Sequence, residues 1–189
     1  MIIRRYLLYF VFVLSAINII GCLTYEAKEY SFTLQNGNSG SGKIKYINIM
    51  RTEDTSVTIE SDYQELIDTY LKGNKPEDEL PGVKNVKKRL FEEDNQLCGE
   101  ITFDFEDITS LKFFNYKDKV WAYNMNSSSF GLFGGSESYF STNGTFGGET
   151  TPVIFWDSDQ REFTLKTTVS QNDKKTTGLL NLWKTKGEN

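Results

Sequence analysis

The sequence predicts an α+β domain: a mainly antiparallel sheet assembled from hairpins, one well-defined amphipathic helix over 61–72 and a short C-terminal helix. Three observations carry this reading. Several segments alternate apolar and polar residues with a period of two, as half-buried strands do. One segment alone shows the 3.6-residue stripe of a surface helix. Glycine, asparagine and proline clusters punctuate the chain at intervals that suit turns between neighbouring strands. At 189 residues, 38 % hydrophobic and 25 % charged, the composition is that of a globular domain with a core of useful size.

The elements follow in order. Residues 22–29 read as a tether, residues 30–185 as one domain and 186–189 as a tail. In YSFTLQ, Tyr30, Phe32 and Leu34 alternate with polar neighbours, and KIKYINIM is its expected partner strand. Asn36–Gly37 between them is a hairpin signal. Tyr63, Leu66, Ile67, Tyr70 and Leu71 form one helical face, with Ser61 as N-cap, Gln64 completing a capping box and Gly73 at the C′ position. VKKRLFEEDNQLCGEITFDFED fits a hairpin turning at Asn95–Gln96, which would pair Leu90 with Ile101, Val86 with Phe105 and Lys87 with Asp104. DITSLKFF suggests a short capped helical turn and KVWAYNM a strand. TPVIFWD and REFTLKTTV suggest a second hairpin around SDQ. TTGLLNLWK suggests a helix that packs Leu179, Leu182 and Trp183.

The first 21 residues have a different character. Arg4 and Arg5 precede the apolar run YLLYFVFVLSAI, which is the layout of a secretory signal. Tyr6 to Ile20 is 15 residues, interrupted by Ser15 and Asn18, against the ~20 that span a bilayer. The ending Ile19-Ile20-Gly21-Cys22 resembles the lipobox of bacterial lipoproteins. The resemblance covers residues 1–22 and implies that Cys22 is lipidated through its sulfur and becomes the mature N-terminus. It implies a cell-envelope protein attached to the membrane through lipid, and Leu23 after the cysteine favours the outer membrane, on its periplasmic or surface face. Loss of Arg4 and Arg5 moves the net charge from −5 to about −7, so nucleic acid is not an expected partner. Cys98 is then the one cysteine besides Cys22, and no intramolecular disulfide is expected.

The chain has no histidine, which removes the usual general base and every histidine-based metal site. Gly37, Gly42 and Lys43 stand at the spacing of a phosphate-binding loop, but Ile44 replaces the Ser or Thr that holds Mg²⁺ and a strand follows in place of a helix. No nucleotide, cofactor or metal is expected. Asp157, Asp159 and Glu162 lack the remaining ligands and the glycine of a calcium loop. Glu100, Asp104 and Glu106 could serve as the carboxylates of a small hydrolase, with cross-strand pairing to Lys87 and Arg89 as the plainer account. Residues 126–151 set aromatic rings among Gly and Ser, a composition used by adaptable recognition surfaces. Phe130, Phe133, Tyr139 and Phe140 would stack on sugar faces there, with Asn143 and Glu149 as hydrogen-bond partners. The expectation is a non-catalytic binding module for an envelope protein, with glycan binding by loop 126–151 and carboxylate-based hydrolysis as the alternatives.

Overall fold

A computed structural model describes residues 23–53, 57–127, 136–169 and 175–187. Of these, 55 % are strand and 21 % helix, so the fold is β-rich with some helix, more sheet than a balanced α+β domain. The larger sheet is antiparallel, in the order β3-β4-β2-β1-β10-β7. Its strands are β1 (Leu23–Asn36), β2 (Ser39–Thr52), β3 (Val83–Glu93), β4 (Gln96–Phe105), β7 (Glu137–Thr142) and β10 (Glu162–Val169). β11 (Thr176–Gly178) pairs with β2 beyond the end of β4. The smaller sheet runs β5 (Phe113–Tyr116), β6 (Val120–Asn124), β9 (Val153–Asp157) and β8 (Thr145–Phe146).

The two sheets meet through aromatic rings. Phe113 of the smaller sheet lies 5.1 Å from Phe32 and 5.7 Å from Phe163 of the larger one, and Trp156 lies 5.1 Å from Phe163. Such edge and offset contacts contribute about 0.5–1.5 kcal/mol each beyond area burial. The remainder of the larger sheet's inner face is covered by α1 (Ile59–Glu65), which runs on into a π-helical turn over Leu66–Leu71. Tyr63, Leu66, Ile67 and Tyr70 are buried, as the 3.6-residue stripe requires. The cap differs from expectation. Thr58 accepts from the Ser61 amide, and Gln64 donates to Asp68 instead of reaching back. Gly73 is not left-handed; a Cβ there would lie 2.5 Å from the Asp68 carbonyl oxygen, so closeness of backbone selects glycine. α2 (Lys75–Glu79) and α3 (Leu180–Lys186) are short, and α3 seals one end with Leu179 and Leu180 buried, Leu182 and Trp183 half-buried.

Four expectations need correction. The segment 23–29 is the first half of β1, with Leu23, Tyr25 and Ala27 buried, and does not form a tether. The first hairpin turns at Gly37–Asn38, one residue later than the Asn36–Gly37 signal, with Gly37 at φ 58°. The β3–β4 hairpin exists, but Asp94 and Asn95, at φ 50° and 58°, make the turn. Next to the turn its register is two residues from the expected one, so that Leu90 faces Gly99 and Lys88 faces Ile101; past an irregularity between Lys84 and Lys87 the difference is three, and Val83 faces Phe105. The shift of two leaves Lys87 to Glu93 on their expected faces, so the apolar pattern could not discriminate there, whereas the irregularity around Asn85, at φ 52°, puts Val83 opposite Phe105 in place of Val86.

The fourth correction concerns TPVIFWD and REFTLKTTV. These form β9 and β10, which belong to different sheets. Leu34 donates its amide to the Arg161 carbonyl and Ser158 donates to Lys119, so each strand leaves the turn along a different neighbour. Trp156 and Phe163 then meet across the core, their ring planes tilted by 46°, instead of standing side by side in one sheet.

Candidate binding surface

In the smaller sheet, Phe113, Tyr123 and Ile154 are in register and point inward, as are Trp121 and Trp156. The alternate residues point outward. Phe114, Ala122 and Phe155 form the adjacent register row, in which Ala122 is fully buried and the two rings are exposed, and Tyr116 stands two residues along from Phe114. Phe114 is 46 % exposed, Tyr116 57 % and Phe155 37 %. Two strand spacings separate Phe114 from Phe155, roughly 10 Å. The rim is ionic: Lys117 lies 5.1 Å above the Tyr116 ring, Asp118 and Lys119 follow it in sequence, and Asp157 pairs with Val120 in the sheet. Exposed apolar rings grouped on one sheet face make this a candidate interaction surface.

These rings were missed by sequence reasoning, although the signal is simple. Once FFNY and VIFWD are strands with Phe113, Ile154 and Trp156 inside, alternation puts Phe114 and Phe155 outside.

Of the residues expected to bind a ligand in 126–151, the described ones are Tyr139, Phe140, Asn143 and Glu149, and each has its own surroundings. Cys22, Phe130 and Phe133 lie outside the described residues. Tyr139 is half-buried and stacks on Phe146 at 3.9 Å, with their planes 8° apart, so one face of its ring is taken. Phe140 is 60 % exposed and carries Lys166 5.5 Å above its ring. Asn143 is structural. Its amide donates to the Glu162 carbonyl at 2.9 Å, while its oxygen accepts from Trp156 Nε1 at 2.8 Å and from the Thr164 amide at 2.9 Å. Those bonds pin the β7–β8 corner across both sheets and leave the amide group little capacity for a sugar. Glu149 is exposed in the turn before β9.

Glu100 and Asp104 of β4 and Glu106 just beyond it are each engaged separately. Arg89 Nε donates to Glu100 at 2.8 Å, Asn85 donates to Asp104 at 2.8 Å, and Glu106 is paired with Lys84. Lys84 holds the exposed Glu106 carboxyl below the usual carboxylate range, the opposite of what a general acid needs. Glu100 and Asp104 are four residues apart on a strand, roughly 13 Å, beyond the ~5–9.5 Å at which carboxylates cooperate in glycoside hydrolysis. Cys98 is fully buried, and burial pushes its thiol up.

An unexpected charge cluster lies inside. The alternation of β1 and β2 breaks around Glu26 and Asn48, the latter at φ 55°, so that Tyr25, Lys28, Tyr30 and Tyr46 all point into the core. Lys28 is wholly buried and sits 2.8 Å from Glu137 Oε1 at the start of β7. Tyr25 and Tyr30 donate to the same carboxylate at 3.0 and 2.8 Å, and Thr167 donates at 2.7 Å. The Lys28 ammonium also lies 5.0 Å from the ring centroids of both Tyr30 and Tyr46. Burial pushes the lysine below its ordinary range, opposed by Glu137. Burial alone would raise Glu137, but the Lys28 charge and the hydrogen bonds hold it below the carboxylate range. With all these partners in place, the cluster fastens edge strand β7 to β1 and β10. Comparison of the chain with protein-family models, with curated proteins and with solved structures finds no match.

Proposed function

We propose that this protein is a lipid-anchored binding module of the bacterial cell envelope, held to the membrane through Cys22, that engages a protein partner through the outer face of its smaller sheet. The observation that carries the reading is the row of outward rings, Phe114 and Phe155 flanking Ala122, with Tyr116 beside them. Rigid aromatics immobilise few torsions on binding and supply large contact area, which is why they dominate interface energetics. A non-catalytic role is supported by the separate partners of Glu100, Asp104 and Glu106 and by the closure of the buried Lys28–Glu137 cluster.

Anchoring through lipid suits the charge of the body. At about −7 after processing, the domain is repelled by anionic headgroups and requires the acyl chains for attachment. Cys22→Ser in the full chain is expected to move the protein from the membrane fraction to the soluble fraction of the expressing bacterium, without loss of the folded domain. Retention in the membrane fraction would reject the anchor.

The partner surface is tested by crosslinking in intact cells, comparing wild type with Phe114→Ser/Phe155→Ser. The double variant should lose its crosslinked species while its thermal midpoint stays within a few degrees of wild type, because the substituted rings are outward-facing. A crosslinking pattern unchanged by the double substitution would sink the assignment of this face.

A further inference from the structure

The outward face of the larger sheet has its own pattern, independent of the aromatic face. Cross-strand register arranges its side chains in rows. One row is Arg89, Glu100, Lys45, Glu29 and Lys166, alternating in sign across five strands. Its charges are compensated: Arg89 binds Glu100, Lys45 binds Glu93, and Lys166 binds Glu29 at 2.9 Å. The next row is Lys87, Thr102, Lys43, Ser31 and Thr164. It holds two cations, three hydroxyls and no acid. Among the described residues neither Lys43 nor Lys87 has a carboxylate partner, whereas Lys84 at the end of the third row is bound by Glu106.

The uncompensated row lies along a depression. Two adjoining hollows of about 350 and 410 Å³ share Ser31 and Lys43. The first is bounded also by Thr33, Ser41, Lys87 and Thr102, the second by Thr142, Thr164 and Lys166. Two carboxylates also line the hollows: Asp104, which accepts from the Asn85 amide at 2.8 Å and keeps its charge, and Glu29, which is paired with Lys166. Just past the second hollow, Phe140 presents its exposed ring beneath Lys166. The row spans four strand spacings, roughly 19 Å.

We propose that this hollow binds a segment of an anionic polysaccharide, with Lys43 and Lys87 facing its carboxylate or sulfate groups, the Ser and Thr hydroxyls meeting its sugar hydroxyls, and Phe140 stacking on a sugar face. Hydroxyl side chains both donate and accept, as sugar hydroxyls do. A cation in a hollow of an otherwise acidic body selects a charged group at a defined place without attracting polyanions over the whole surface. The net charge of −5 disfavours a nucleic acid backbone, whose binding rests on many basic contacts at once.

The test uses the full chain in detergent and three polymers: polygalacturonate, dextran sulfate and neutral dextran, with affinity read by gel retardation. Wild type should be retarded by at least one anionic polymer and not by neutral dextran, and the polymer that retards it identifies carboxylate or sulfate as the recognised group. Lys43→Glu should weaken binding at least tenfold and Phe140→Ala about threefold or more. Lys119→Glu, an identical charge change on the other sheet, should leave it within twofold. Phe114→Ser/Phe155→Ser should also leave it intact, so a failure of the protein-partner face and a failure of this site give different results. Absence of retardation by both anionic polymers, or equal weakening by Lys43→Glu and Lys119→Glu, overturns the proposal.

Discussion

Glu137 shows how far a single side chain reaches in this molecule. Its carboxylate accepts from Lys28, Tyr25, Tyr30 and Thr167, so its removal takes the counter-charge from a fully buried ammonium and an acceptor from several hydroxyls. Breaking one half of a buried ion pair costs about 3–5 kcal/mol. Glu137→Gln should therefore lower the unfolding free energy by roughly that amount in urea titrations. Lys28→Met/Glu137→Leu should recover much of the loss, since an apolar pair leaves no uncompensated charge. Recovery that fails would mean that the tyrosine and threonine hydroxyls, not the ammonium, carry the penalty. The pair also sets an acid limb. Glu137 titrates below its unfolded value, so its contribution is present above the ordinary carboxylate range and disappears as pH falls through the folded value. Glu65 and Glu79 have the opposite sign: burial raises them, and acidification relieves their cost above the ordinary range. Stability is expected to fall below about pH 4.5, where the Glu137 contribution is lost, and Glu137→Gln should flatten that fall in a pH series of thermal midpoints.

Among the elements, the β3–β4 hairpin separates what a sequence specifies locally from what it leaves to the fold. Asp94 and Asn95 both occupy the left-handed region, as a two-residue turn between twisted strands demands. A β-branched side chain is strained there by about 1–2 kcal/mol, so Asn95→Val should destabilise by that amount in chemical denaturation and Asn95→Gly should not. An Asn95→Val protein of wild-type stability would show that the turn tolerates another register. The same hairpin explains which expectations matched the structure. The inward faces of β1, β2, α1 and β4 were legible because their apolar periodicity is local. The separation of β9 from β10 was not, because both strands carry a buried face and pattern alone does not say which neighbour supplies the hydrogen bonds. Asn143 illustrates the limit at the candidate site. Its composition suits a ligand contact, but three bonds from Trp156, Glu162 and Thr164, 13 to 21 residues away, consume it.

On the scale of the whole molecule, the two outward faces lie on opposite sides of one sandwich and differ in chemistry: aromatic rings on the smaller sheet, hydroxyls and lysines on the larger. The proposed anchor joins at neither face. Cys22 immediately precedes Leu23, which is already inside β1 and pairs with Arg51 of β2. Lipidation at Cys22 would thus place the strand-end edge of the sandwich directly at the membrane and leave both faces standing out from it. This arrangement depends on residues 23–29 being structural, and that is open to a direct test. A chain beginning at Tyr30 lacks Leu23, Tyr25, Ala27 and the buried Lys28, and it leaves the ends of β2 and β10 without their partner. Each large apolar side chain removed costs about 1.5–3 kcal/mol, and Glu137 would remain as a charge without its counterion. These losses together rival the ~5–15 kcal/mol that holds a domain folded. The chain starting at Leu23 should give dispersed amide spectra and a cooperative thermal transition, and the chain starting at Tyr30 neither. A cooperative transition from the shorter chain would return 23–29 to the status of a tether and free the domain from the membrane surface.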